Sequence, residues 1–212
     1  GLQPYGMQPR ADGAPMPPAA ELSYGAILSR PVFWFIGVAA FATFYAILAI
    51  SYNLFLHTKD LGIDARDAAK YFVPLFIGGL VGKLLSGFVS DLFGRKRTWL
   101  IFLGLMLVGS LFLLTNSQQW LFASVACFGL GWGGNYTLLQ AITADAFGTR
   151  SLGKVMGAIT VLDAGGGAIG PWITGMLYDS FGSYIVAFWV IAALIALAIV
   201  MALLVPATET KA

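Results

Sequence analysis

The chain has 212 residues and a mean hydropathy of +0.82, with 58% hydrophobic and only 10% charged residues. Because a soluble domain carries about 25% charged residues, this composition excludes a soluble globule, and it is too apolar for a disordered chain. The net charge of +2 is too small to indicate a nucleic-acid partner. The composition indicates a multi-pass membrane protein, since six spans of roughly 20 residues fit this length.

Residues 1–30 are rich in proline, glycine and alanine and lack the charged-then-apolar order of a signal peptide. We interpret them as a flexible cytoplasmic linker. A linker ahead of several spans, in a chain that opens on glycine, favours the later part of a longer protein. The alternative is a six-helix protein with a processed start.

Six apolar runs follow the linker, each bounded by charged, proline or polar residues. They are predicted as helices because hydrocarbon offers no partner for open backbone groups, and outer-membrane strands are about half as long. The predicted spans are residues 31–56, 69–93, 99–115, 120–144, 155–177 and 184–205, with residues 206–212 as a cytoplasmic tail. The predicted fold class is an all-α integral membrane bundle of six transmembrane helices over residues 31–205.

Basic residues are distributed unevenly between the two sides of this bundle. The first side, which includes the N-terminal end, holds Arg10, Arg30, Arg95, Lys96, Arg97, Arg150, Lys154 and Lys211, and the other holds Lys59, Arg66 and Lys70. Since cytoplasmic loops carry the excess of lysine and arginine, both chain ends are predicted to be cytoplasmic. The expected location is the cell membrane, or the inner membrane of a bacterium.

Few residues in the chain could support catalysis or metal binding. His57, the single histidine, lies at the outer end of the first span, and Cys127, the single cysteine, lies inside an apolar helix. A membrane-embedded enzyme would need a catalytic constellation that these residues do not supply. We therefore expect no enzyme activity, no cofactor and no metal site.

Two segments 88 residues apart share the pattern G-x-x-x-D-x-x-G, at residues 87–94 and 175–182. Each closes the second helix of a set of three, yet the two lie on opposite sides of the membrane. An inverted three-plus-three repeat places related helix ends in this way. The pattern thus predicts that the six helices form such a repeat.

The first copy continues into basic residues, reading GFVSDLFGRKR. A glycine at its start would permit close helix contact, its aspartate can pair with a cation, and its basic residues would anchor at lipid headgroups. The motif residues are Gly87, Asp91, Gly94, Arg95, Lys96 and Arg97. This string resembles the cytoplasmic loop motif of the major facilitator superfamily, in the copy between the eighth and ninth helices.

The later part of the chain carries a closer resemblance. FGLGWG at 128–133, DAFG from Asp145, SLGKVMG at 151–157 and the pair Gly170-Pro171 resemble the tenth and eleventh helices of monocarboxylate transporters and related organic-anion porters. The resemblance covers roughly residues 28 to 205. It implies the C-terminal six-helix half of a twelve-helix transporter, with the N-terminal half as a missing partner.

Two charges lie well inside the predicted spans. Lys83 comes eight residues, about 12 Å of helix, before Asp91, and Asp163 comes eight residues after Val155. A charge at the centre of a span costs about 2.5–3.5 kcal/mol on insertion scales, so it normally faces a cavity or a partner. We expect Lys83 to attract an anionic substrate and Asp163 to carry a proton or gate the site. A structural ion pair between them, or a lysine that reaches the inner surface, is the alternative.

The resemblance adds a role for each charge. In monocarboxylate and related porters, a basic residue four positions before the motif glycine binds the substrate carboxylate, and Lys83 holds that place in front of Gly87. Arginine is commoner there, and Gly79 stands where an acidic residue is often found. Asp163 matches an acidic residue of the eleventh helix, which makes it the remaining candidate for proton coupling.

Further polar residues lie within the spans. Those on the first and fourth spans could orient polar groups of a substrate, although interhelical hydrogen bonding is the alternative for each. The candidates are Tyr45, Tyr52, Asn53, Asn135, Tyr136 and Gln140, of which Tyr45, Asn53 and Asn135 are assigned to substrate binding with Lys83.

These features together predict a secondary active transporter that moves a small, monocarboxylate-like organic anion with a proton by alternating access. Its expected partners are the anion, the proton, the lipid bilayer and the missing half, with no nucleic acid. The alternatives are a carrier of an uncharged solute such as a sugar, or a non-transporting membrane receptor on the same scaffold.

Overall fold

A computed structural model describes residues 21–206 of the chain. The helices are α1 (Tyr24–Leu28), α2 (Pro31–Asp60), α3 (Ala65–Ala68), α4 (Phe72–Phe93), α5 (Arg95–Leu113), α6 (Gln118–Phe147), α7 (Leu152–Phe181) and α8 (Ile185–Leu204), and a 3-10 turn, Ala69–Tyr71, joins α3 to α4. The long helices α2 and α4 to α8 correspond one to one with the six predicted spans, so the all-helical prediction is confirmed. Helices α2, α6 and α7 are longer than their predicted spans, and α5 begins four residues before its predicted start at residue 99.

The predicted linker extends too far along the chain. Residues 1–20 and 207–212 lie outside the described residues, but the last part of the predicted linker forms α1. The Ser23 side chain accepts a hydrogen bond from the backbone N–H of Ala26 and thereby caps this short helix. The backbone N–H of Leu22 donates to Ser151 Oγ at 3.0 Å, which fastens α1 to the start of α7.

Five helices of the described chain are long and apolar enough to cross a membrane: α2, the α3–α4 segment, α5, α7 and α8. Helix α6 has 30 residues, which is sufficient length, but it is less apolar because closely spaced glycines and the side-chain amides of Asn135 and Gln140 interrupt its apolar run. It packs mainly against α4 and α5, and many of its residues are buried there. Burial against protein instead of lipid removes the need for a uniformly apolar surface.

The helices pack in a pattern that supports the inverted repeat. Helix α2 packs on α7 and α8, whereas α6 packs on α4 and α5, and α5 also packs on α8. Exchanging the triplet α2, α4, α5 with the triplet α6, α7, α8 converts each of these contacts into another contact of the set. The three-plus-three arrangement predicted from the short repeated motif therefore extends through the whole bundle.

Glycines of the repeat bring helices into backbone contact. Gly78, Gly79 and Gly82 of α4 stand 88 residues before Gly166, Gly167 and Gly170 of α7. A Cβ atom on Gly133 of α6 would lie 1.9 Å from the carbonyl oxygen of Gly79, and one on Gly166 would lie 2.2 Å from that of Phe41 in α2. Only glycine permits the α4–α6 and α2–α7 contacts to be this close.

The motif glycine Gly87 has no such role within the described residues. A Cβ atom there would meet nothing within 4 Å, and the same holds for its counterpart Gly175, so the predicted close contact at Gly87 is wrong for this part of the chain. At Gly94, by contrast, the backbone conformation itself favours glycine. It separates α4 from α5 with a φ of +81°, a conformation that residues with side chains rarely adopt.

We expect Gly133→Ala to lower the thermal stability of the membrane-embedded protein, because its methyl group would push α6 away from the Gly79 carbonyl. The cost expected for such overpacking is about 1–3 kcal/mol. Gly104→Ala is the matched control, since a Cβ atom on that helical glycine would meet nothing within 4 Å. Equal melting temperatures for the two variants, measured in the same lipid, would contradict the assigned contact.

Candidate functional site

A cavity of about 620 Å³ opens between α2, α6 and α7. Small residues of α7 form one wall, and aromatic and aliphatic side chains of α2 and α6 form the other. The lining residues are Phe44, Leu48, Tyr52, Tyr136, Thr160, Asp163, Ala164, Gly167, Ala168 and Pro171. The cavity has the size and the mixed lining of a site for a small organic molecule.

Asp163 is the charged residue of this cavity. It lies in the interior of α7 and is only 5% exposed, on the side of the helix next to the contact that Gly166 and Gly170 make with α2. No lysine, arginine or histidine of residues 21–206 forms an ion pair with it. The structural ion pair between Lys83 and Asp163 is therefore absent, and the Asp163 carboxyl group borders the cavity without a cationic partner among the described residues.

Lys83 lies on the exposed part of α4 and does not line the cavity. It comes one helical turn after Gly79, whose Cβ position is 3.2 Å from the Trp132 ring of α6. The 88-residue offset of the repeat places Lys83 in register with Pro171, which does line the cavity. In the repeat, Lys83 of α4 is thus the equivalent of Pro171 of α7. Helix α4 packs against α6 and α7 packs against α2, so the two residues lie on opposite sides of the α2–α6 pair.

The three polar residues that the sequence assigned to substrate binding do not line the cavity. Asn135 is 2% exposed, and its Oδ1 accepts a 2.7 Å hydrogen bond from Trp99 Nε1 of α5. The Nδ2 of Asn53 donates to the carbonyl oxygen of Ala49 in its own helix at 3.0 Å. Tyr45 is buried where α2 meets Gly170. Asn135 therefore makes an interhelical hydrogen bond, the alternative stated for it, whereas the Asn53 hydrogen bond stays within α2 and Tyr45 packs against α7.

Two tyrosines line the cavity in their place. Tyr52 of α2 and Tyr136 of α6 are both lining residues, and the Tyr136 ring lies 5.7 Å from the Phe44 ring. In the sequence, these tyrosines and the three buried residues look alike, since each is a polar residue within an apolar span. They differ in the face of the helix on which they lie, which depends on how each helix is rotated about its axis.

Two basic residues of the loop motif, Arg95 and Lys96, bind other helices. Arg95 donates to the carboxylate of Asp145, near the end of α6, and Lys96 Nζ donates to the carbonyl oxygens of Leu203 and Val205 at the end of α8. Cations are favourable at helix C-termini because the last carbonyl groups there lack backbone partners. Arg95 and Lys96 thus have partners within the protein, while Asp91 and Arg97 are exposed, and anchoring at lipid headgroups stays a prediction.

A second contact joins helix ends on the opposite face. The hydroxyl group of Tyr178 in α7 donates to Asp60 Oδ1 at the end of α2 at 3.0 Å. His57 is 2% exposed and makes edge-to-face contacts with Tyr184 and Phe188. Asp60 and Asp145 lie at or near the C-terminal ends of α2 and α6, which are equivalent helices of the repeat. Each aspartate accepts a hydrogen bond from another helix, Asp60 from Tyr178 and Asp145 from Arg95.

Comparison with known families identifies the group to which the chain belongs. Residues 71–212 match the family described as the Major Facilitator Superfamily. The chain belongs to the major facilitator superfamily. This family consists of membrane transporters and not of enzymes, and the chain is accordingly a multi-pass membrane protein.

Individual relatives support this assignment. The chain is 29% identical to Monocarboxylate transporter 12 of Xenopus laevis over 166 residues, which are 76% of this chain and 36% of that protein. It is 27% identical over 120 residues to the Cis,cis-muconate transport protein of Acinetobacter baylyi, covering 56% of this chain and 29% of that protein. The chain spans about a third of the length of the curated relatives it matches.

Solved structures of the superfamily share the fold. The fucose:proton symporter FucP of E. coli superimposes with a TM-score of 0.75 at 17% identity, covering 88% of this chain and 46% of that one. The POT family transporter PepTSo gives a TM-score of 0.74 at 21% identity, covering 85% and 39%. At these identities the likeness establishes the fold alone.

The Trp99–Asn135 hydrogen bond predicts a stability effect. Asn135→Leu leaves the buried indole N–H without its acceptor and is expected to cost about 1–3 kcal/mol. Combining it with Trp99→Phe removes the unpaired donor, so the double variant should lose less stability than the sum of the two single variants. Additive losses in thermal unfolding would show that Asn135 and Trp99 act independently.

Proposed function

We propose that this protein is the C-terminal half of a twelve-helix secondary transporter that carries a small organic anion together with a proton by alternating access. The observation that carries the proposal is the buried carboxyl group of Asp163, which opens onto a 620 Å³ cavity and has no cationic partner within residues 21–206. Such a group in a membrane span is characteristic of substrate and proton pathways.

Lys83 supplies the positive charge for the substrate carboxylate in this proposal. It is a cation within a membrane-spanning segment, it makes no ion pair in the described chain, and it holds the position equivalent to the cavity residue Pro171. The names of two relatives, which refer to monocarboxylates and to cis,cis-muconate, support a carboxylate as the substrate class. The lysine is a point charge that a carboxylate approaches from several directions.

Asp163 couples the transport to a proton. An ionised carboxylate without a partner is costly in the membrane interior, so Asp163 takes up a proton when the anion is bound at Lys83. The protonated carrier then crosses between its inward-open and outward-open states with a neutral load, since the proton offsets the charge of the anion. Return without substrate requires release of the proton, which biases the side that opens.

The remaining half of the transporter covers the exposed apolar surface of α4 and α7. Both helices are largely unburied within the described chain, with Leu80, Leu84 and Val161 among their most exposed apolar side chains. In a twelve-helix carrier the two six-helix halves rock about a site near the bilayer midplane. The excess of basic residues on the side of the chain ends supports a cytoplasmic position for both ends, in the cell membrane.

Lys83→Ala in the full-length transporter is expected to reduce uptake of monocarboxylates by about tenfold or more, because the substrate carboxylate loses the cation that it would pair with. Lys83→Arg should retain most of the uptake, since it keeps the charge. Lys70→Ala, which removes an exposed lysine near the start of the same helix, is the control. Uptake is measured with radiolabelled lactate, hexanoate and fucose in proteoliposomes.

The outcomes separate the classes of carrier. Undiminished carboxylate uptake by Lys83→Ala, with normal amounts of protein in the membrane, would refute the anion-site assignment. Uptake of fucose but of neither carboxylate would place the protein among carriers of uncharged solutes.

Asp163→Asn is expected to abolish proton-driven accumulation, because an amide cannot bind or release the coupling proton. The measurement compares hexanoate uptake with and without an imposed pH gradient. A variant that still accumulates hexanoate in response to the gradient would show that the proton travels through another residue.

A further inference from the structure

The Asp163 side chain and two aromatic rings lie close together across the contact between α7 and α2. A Cβ atom on Gly167, one helical turn after Asp163, would lie 3.6 Å from Phe44 Cδ1. Residues four apart on a helix have Cβ atoms about 5–6 Å apart, so at most about 10 Å separates Phe44 Cδ1 from the Asp163 Cβ atom. The centre of the Tyr136 ring is 5.7 Å from that of the Phe44 ring. Asp163, Phe44 and Tyr136 therefore border one part of the cavity.

The charge in this part of the cavity is negative when Asp163 is ionised. Asp163 is the charged residue among those that line the cavity, and no cation of residues 21–206 forms an ion pair with its carboxyl group. The aspartate is only 5% exposed, so water screens its charge poorly. A cation that enters the cavity is consequently attracted to this carboxylate.

The aromatic rings favour an organic cation as that ligand. An ammonium group is attracted by aromatic rings within about 6 Å of it and pairs with a carboxylate at up to about 4 Å. At the separation of Phe44 and Asp163, one ammonium group can reach both. A metal ion needs several oxygen ligands, whereas this cavity offers one carboxylate in a lining that is mostly apolar and aromatic.

We propose that the cavity binds small organic ammonium ions, with the ammonium group between the Asp163 carboxylate and the rings of Phe44 and Tyr136. The cavity volume of about 620 Å³ lies within the range of small-molecule sites. Binding of the cation requires neither Lys83 nor a transported anion, so this inference goes beyond the proposed function. In the proposed transporter, the bound ammonium ion takes the place of the coupling proton on Asp163 and inhibits proton-driven uptake of hexanoate.

The experiment measures binding of radiolabelled choline to the full-length transporter, purified in a maltoside detergent at a mildly alkaline pH that favours the ionised carboxylate. The quaternary ammonium group of choline has a permanent charge and no transferable proton. The competitor 3,3-dimethylbutan-1-ol has the same shape without the charge. We expect saturable choline binding and at least about tenfold weaker competition by the neutral isostere, because it cannot pair with Asp163.

A second competitor separates free ammonium ions from lipid headgroups. Glycerophosphocholine carries the phosphate of a choline lipid next to its ammonium group. It should bind at least about tenfold more weakly than choline, because its phosphate is repelled by the Asp163 carboxylate.

Variants test which residues recognise the ammonium group. Asp163→Asn should weaken choline binding by about tenfold or more, and Phe44→Leu should weaken it by about two- to thirtyfold through the lost cation–π contact. Asp67→Asn and Phe122→Leu are the matched controls, since Asp67 and Phe122 do not line this cavity, and both should leave the affinity unchanged.

Each result decides for or against this inference. No saturable choline binding, equal competition by the neutral isostere, or an unchanged affinity in Asp163→Asn would overturn it. Glycerophosphocholine that binds as tightly as choline would also overturn it, in favour of a lipid headgroup.

A parallel assay of hexanoate uptake separates this inference from the proposed function. Hexanoate uptake that depends on Lys83, in a protein that does not bind choline, overturns the inference and leaves the anion carrier intact. Choline binding that depends on Asp163, in a protein that takes up no carboxylate, supports the inference and overturns the proposed function.

Discussion

Close backbone packing between parallel helices is the constraint on which the rest of this structure depends. Lipid gives apolar helices no hydrophobic reason to associate, so contact at short range provides much of the attraction between them. The backbones of α4 and α6, and those of α2 and α7, come this close because glycines such as Gly133 and Gly166 have no side chain at the contact. Because α7 is held against α2 in this way, Asp163 is covered on one side and open to the cavity on the other.

The number and order of the helices could be predicted from the sequence because a membrane imposes a simple requirement. A span must be apolar over about 20 residues, and each of the six runs meets this closely enough to be recognised. The same requirement makes an embedded charge conspicuous, so the sequence alone identifies Asp163 as a candidate functional residue. The inverted repeat was visible from one short motif because glycine and aspartate keep an 88-residue offset at the helix ends.

The rotation of each helix could not be predicted from the sequence. A helix that is apolar on all sides shows no preferred face, so the sequence did not distinguish the buried Tyr45 and Asn135 from the cavity residues Tyr52 and Tyr136. The partners of the loop motif were equally out of reach. Arg95 and Lys96 bind groups 50 and 107 residues away, and their positions depend on how α6 and α8 end. The local sequence shows that Arg95 and Lys96 are basic, but it does not identify their partners on other helices.

The exchange of helices between the two triplets has a consequence for biosynthesis. Phe41 and Gly166 touch although more than a hundred residues separate them in the chain. Because a chain is made from its N-terminus, α2 enters the bilayer well before α7 exists. Until α7 is inserted, the surface of α2 around Phe41 lacks the partner that it has in the finished bundle. A chain that stops before α7 therefore leaves α2 without its main partner.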